Sequence, residues 1–190
     1  MAGIWNPFRN ANAQKRRADT LYRGLMGAAL SPEAYAAGVV PDDMDHRVQM
    51  VGLHAAVLVW QLTRRPEKVL QRLPHLIHAR VFDGFDASLR ETGVGDASIA
   101  RKVRKLGEHY YGLGTSTADA LSRPTIERAG ALEEVLKRNG VATAGREAEL
   151  SQYLVAVAEA FETATSDAFL SGTAPWQTFP ATSRPGVAKV

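Results

Sequence analysis

The sequence predicts an all-α fold: a single-domain multi-helix bundle with an irregular N-terminal arm (1–13), a helical body (14–172) and a flexible C-terminal tail (173–190). Three observations lead there. Leu150, Leu154, Val157, Phe161, Ala164 and Ala168 recur at alternating spacings of four and three, which draws one apolar stripe along a helix. The run Ala55–Trp60 is apolar almost all round, as in a helix at the centre of a bundle. No stretch alternates apolar and polar residues with a period of two between hairpin turns, so a sheet is not expected.

The elements follow in order. Residues 1–13 lack periodicity and read as the arm, and a first helix runs from Gln14 to Leu30 with Leu21, Leu25 and Ala28 on its apolar side. Ser31-Pro32-Glu33 restarts a short helix, with serine at the N-cap and proline at the first position. Gly38 and Pro41 stop it, and Asp42 or Asp43 caps a third helix reaching Arg64. A fourth runs from Val69 to Glu91 with a kink at Pro74, which removes a backbone donor. Thr92-Gly93-Val94-Gly95 breaks the chain, and Asp96 caps a fifth helix that Gly112 and Gly114 end at Tyr111. Short and longer helices follow at 117–121 and 124–138, the second closed by Asn139-Gly140; the last runs from Arg146 to Leu170 and stops at Gly172. Proline and small polar residues beyond Gly172 read as a mobile tail.

With 190 residues, 45% of them hydrophobic, the chain can bury a sizeable core, which excludes disorder throughout. Cysteine is absent, and with it any disulfide, thiolate metal site or cysteine nucleophile. Residues 1–17 carry no apolar signal-peptide core. The longest uncharged run, between Arg47 and Arg64, is 16 residues, short of the roughly 20 a membrane span needs.

A search for catalytic groups finds little. His75 and His78 share a helix face with Asp83 a turn further on, but a metal needs another ligand and the spacing fits no metal motif. His54 lies inside the apolar third helix, where a hydrogen-bonded core histidine is the ordinary role. Gly93 and Gly95 lack the strand and third glycine of a nucleotide fingerprint, and there is no phosphate-binding loop or nucleophile elbow. No enzyme, metal, cofactor or small-molecule substrate is expected.

Charge is more informative. The net charge is only +3, yet Arg64–Lys105 holds ten basic and five acidic residues, and Leu106–Leu170 holds five basic and ten acidic. On the fifth helix Ile99, Val103, Leu106 and Tyr110 form the apolar stripe; Arg101, Arg104 and Lys105 gather opposite, with Lys102 on the flank. Such a face is either ordinary solvated surface or a basic patch for phosphates or an acidic protein.

Val40-Pro41-Asp42, then Arg47 and His54, and above all Leu89-Arg90-Glu91-Thr92-Gly93-Val94-Gly95-Asp96, give the chain a family resemblance. Leu21-Tyr22, Tyr35, Lys105 and Tyr111-Gly112 fall in the matching order. Over roughly residues 20–122 the chain resembles the ubiquinol-cytochrome c chaperones, assembly factors for the cytochrome bc complex. The resemblance implies an all-helical, non-catalytic chaperone whose client is newly made cytochrome b. It also implies a place near the ribosome or an anionic membrane surface, and a small helper protein. Arg90, Glu91, Asp96, Arg101, Lys102, Arg104 and Lys105 are the candidate partner-binding residues, the first three also suiting a structural corner. Without a long targeting extension, a bacterial, cytoplasmic member, at most peripheral to the inner membrane, is expected over one of the mitochondrial matrix. A peripheral membrane or nucleic-acid adaptor without a client is the alternative.

Overall fold

The computed structural model describes residues 7–91 and 96–180, and the described residues are helical without strands. The helices are α1 (Pro7–Ala29), α2 (Pro32–Ala36), α3 (Met44–Thr63), α4 (Lys68–Gln71), α5 (Leu73–Glu91), α6 (Asp96–Leu121), α7 (Thr125–Asn139), α8 (Glu147–Thr163) and α9 (Ser166–Ser171). The all-α bundle is as the periodicity predicts.

α3 is the axis. Its stretch from Met50 to Leu58 is continuously buried, and α1, α5, α6 and α8 pack around it. Asp43 begins it by accepting the His46 N–H at 2.9 Å, the capping bond expected of an aspartate there. His54 is fully buried, and its Nδ1–H donates to the Met50 carbonyl at 2.7 Å while Nε2 meets the Tyr153 hydroxyl at 2.9 Å. Burial pushes its pKa down to about 4, so the ring is neutral at ordinary pH.

Several boundaries differ from expectation, each for a physical reason. α1 begins at Pro7, so residues 7–13 of the expected irregular arm are helical; residues 1–6 lie outside the described part. Pro74 does not kink a long helix. The chain breaks at Arg72, between α4 and α5, and proline then sits in the first turn of α5, where no intrahelical donor is lost. Gly112 and Gly114 do not end a helix either, because α6 continues through 117–121 to Leu121. Leu113 between them and Thr117, Ala120 and Leu121 beyond them are buried, and that packing outweighs a glycine penalty of about 1 kcal/mol each. Gly140 closes α7 and Gly172 closes α9 in the left-handed conformation (φ 58° and 83°), as expected of both.

The last helix is two. α8 stops at Thr163, and Ala164 is extended. Arg65 donates to the carbonyls of Phe161 and Ala164 at 2.7 and 2.8 Å, so a side chain from α3's end satisfies the helix terminus. Its guanidinium also lies 4.9 Å from the Phe169 ring centre.

The expected free tail is corrected over 173–180; residues 181–190 lie outside the described part. Phe179 is only 4% exposed, with its ring 5.1 Å from that of Tyr153. Trp176 packs edge-on against Phe161 at 4.7 Å, and its indole Nε1 would come within 3.0 Å of a β-carbon on Gly24. A glycine on α1 thus makes room for the tryptophan of a strap that seals α1, α3 and α8.

Candidate functional site

On the other side of α3, no strap among the described residues covers the bundle. The start of α3, the last turns of α5 and the first half of α6 enclose a groove of about 560 Å³. Met44, Val48, Phe85, Leu89 and Leu106 supply its apolar surface. Met44 is 54% exposed and Val48 and Leu106 are half-buried, so this surface is reachable from solvent.

Lys102 and Lys105 form a cationic wall on α6, both exposed and both without a carboxylate partner among the described residues. Asp45 faces the groove from the first turn of α3, where a carboxylate complements the positive helix end. Ser88, His109 and Gln49 complete the lining: the side-chain nitrogens of His109 and Gln49 lie 3.2 Å apart, and the Gln49 amide also donates to the Asn139 carbonyl at 3.1 Å. Gln49 Oε1 is buried without a hydrogen-bond partner, an acceptor in the groove wall left unused.

The candidate residues read from the sequence therefore separate. Lys102 and Lys105 line the groove; Arg101 and Arg104 are exposed but do not. Arg90 lies at the end of α5, its Nε 2.8 Å from an Asp86 carboxylate oxygen, and Glu91 is exposed as the last residue of that helix. Asp96 opens α6, but its side chain and Thr92–Gly95 lie outside the described residues. Leu106 was expected in the core stripe with Tyr110. Tyr110 is buried, whereas Leu106 turns to the groove.

Periodicity alone missed Met44, Val48, Gln49, Phe85 and His109. Each sits on a helix whose neighbouring positions are core, and no sequence signal separates a residue packed inside from one at an open seam. Met44 came nearest, as a large apolar side chain directly after the capping aspartate.

The other residues singled out are structural. Arg47 binds Asp42 at 2.7 Å and lies 5.5 Å from the Tyr35 ring centre, while the Tyr35 hydroxyl donates to the Ala29 carbonyl at 2.9 Å. These bonds pin the α2–α3 corner. His78 Nδ1 lies 2.8 Å from the Tyr110 hydroxyl, tying α5 to α6, and burial lowers its pKa. Among the described residues, no cluster of three or more histidine or carboxylate side chains is placed to hold a metal.

With this geometry in hand, comparison with known families is decisive. The ubiquinol-cytochrome C chaperone family matches residues 37–178. The chain belongs to that family. Membership supports a chaperone role, not an enzymatic one, in assembling respiratory complex III. The crystal structure of the Cbp3 homolog from Brucella abortus has the same fold: TM-score 0.76 at 24% identity, covering 90% of this chain and 94% of that one. Comparison with curated proteins gave no match. No described helix is long and apolar enough to cross a membrane. The matched region takes in both groove and strap through Trp176, while α1 before residue 37 lies outside it, although its Leu21 and Leu25 are fully buried.

Proposed function

We propose that this chaperone holds an apolar helical segment of newly made cytochrome b in the groove between α3, α5 and α6. The observation carrying this reading is an apolar surface that the described residues leave uncovered and rim with two lysines lacking a carboxylate partner among them. A helix laid into such a groove buries its apolar ridge on Val48, Phe85, Leu89 and Leu106. Lys102 and Lys105 take a carboxylate at its edge. Arg90 and Glu91, at the end of α5, and Asp96, at the start of α6, are further candidates for contact with a partner. Arg101 and Arg104, which point elsewhere, are left for an acidic second partner, the ribosome or a small helper protein. The bacterial cytoplasm, at the inner membrane's edge, is where the client would be met.

Leu106→Asp tests the groove, because the residue lines it and is only half-buried, at the edge of the core. Cytochrome b should co-purify with the wild-type chain from its native cell and be lost with the variant, while unfolding stability changes by no more than about 1 kcal/mol. Lys102→Glu with Lys105→Glu should weaken capture several-fold. Undiminished capture by the folded Leu106→Asp variant would refute the groove as the client site. If capture instead fell with Arg101→Glu and Arg104→Glu and collapsed in high salt, the adaptor reading on a polyanion would be favoured.

A further inference from the structure

At the far end of α3 from the groove, two turns lie side by side. The Trp60 indole donates to the Ser122 hydroxyl at 3.0 Å, joining the end of α3 to the α6–α7 turn. Arg64 stacks on the same ring at 4.8 Å, and Arg128, 5.4 Å from it, donates through Nε to the Arg123 carbonyl at 3.2 Å. The α3–α4 and α6–α7 turns are thus one surface.

It combines exposed cations with an exposed aliphatic side chain. Arg47, Arg80, Arg128 and Arg146 each hold a carboxylate. Arg64, Lys68 and Arg123 are exposed and hold none among the described residues. The carboxylates on these turns are Glu67, which is partly buried, and Glu127, which is exposed; cations outnumber them. Between the cations stand apolar tips: Ile126 is 92% exposed, and Pro66 and Pro124 are exposed too. An aliphatic tip gains nothing from a phosphodiester or a base edge. It gains by entering the boundary between lipid headgroups and acyl chains, while flanking cations bind the lipid phosphates.

We propose that the α3–α4 and α6–α7 turns are a docking surface for an anionic lipid bilayer, with Ile126 at headgroup depth and Arg64, Lys68 and Arg123 on the phosphates. The surface is independent of the groove, and failure of either leaves the other standing. Flotation of the full chain with vesicles of phosphatidylcholine and phosphatidylglycerol at three to one, in low salt, tests it. The wild-type chain should float with these vesicles, stay behind with pure phosphatidylcholine, and be released as salt screens the charges. Lys68→Glu with Arg123→Glu should cut partitioning at least tenfold, since each cation near the surface is worth about fivefold. Ile126→Ser should cut it several-fold and Ile126→Trp strengthen it, because indoles favour the interface. No flotation with the anionic vesicles, or flotation unaltered in all these variants, would overturn the proposal. So would binding to an RNA oligonucleotide, without vesicle binding, that the charge changes abolish and Ile126→Ser leaves intact.

Discussion

On one flank of α3, His54 is closed under Tyr153, Trp176 and Phe179; on the other, Val48 and Gln49 open onto a groove of about 560 Å³. The two flanks use similar material: apolar side chains from three helices, aromatic rings, one histidine. They differ in what finishes them. The first is covered by the chain's own strap, and its buried histidine finds a carbonyl and a hydroxyl. The second receives no cover from the described residues, finds no partner among them for Gln49 Oε1, and presents lysines at its edge. A sealed seam stabilises a fold, and an unsealed one of matching chemistry is available to another chain.

The core between the flanks should give the largest response. Leu58, fully buried at the middle of α3, should cost about 2–5 kcal/mol when changed to alanine, read by denaturant unfolding. A loss under about 0.5 kcal/mol would mean that α3 is not the axis.

Acid should open the sealed flank next. His54 has a pKa of about 4 in the folded chain against about 6.5 when unfolded, so the unfolded state binds the extra proton between these values. The stability this histidine contributes is complete above pH 6.5 and is lost as pH falls through 4, a total of about 3 kcal/mol. His54→Gln should flatten that part of the stability-versus-pH curve, whatever its own baseline. Parallel curves for variant and wild type would show that His54 takes up its proton without opening the seam.

Cutting the chain after Gly172 should have the smallest of the three effects. It removes Trp176, half-buried, and Phe179, buried, and also releases the entropy cost of ordering the strap, for a net loss of about 2 kcal/mol. Calorimetry should register a lower melting temperature with groove binding intact. An unchanged melting temperature would show that the seam closes without its strap.

The strap shows where the sequence stopped being readable. Trp176 and Phe179 sit among prolines and small polar residues with no period, so nothing local marks them as core; only the space above Gly24 and beside Tyr153 does. α3 was readable because its apolar run is continuous and Asp43 stands before it. The stop at Gly172 was readable, while the break at Ala164 was not, because the carbonyls there are satisfied by Arg65, almost a hundred residues away. The groove divides the same way. The basic character of 101–105 was plain from helical spacing, but only the packing of α3 against α6 turns Lys102 and Lys105 to the groove and leaves Arg101 and Arg104 outside it.

The strap also dictates an order of events during synthesis. α1, α3 and α8 leave the ribosome before the strap does, because synthesis runs from the N-terminus. The seam they form around His54 stays unsealed until residues 176–179 have emerged as well. For that interval the nascent chaperone exposes two apolar flanks, and it is itself a chain in need of protection.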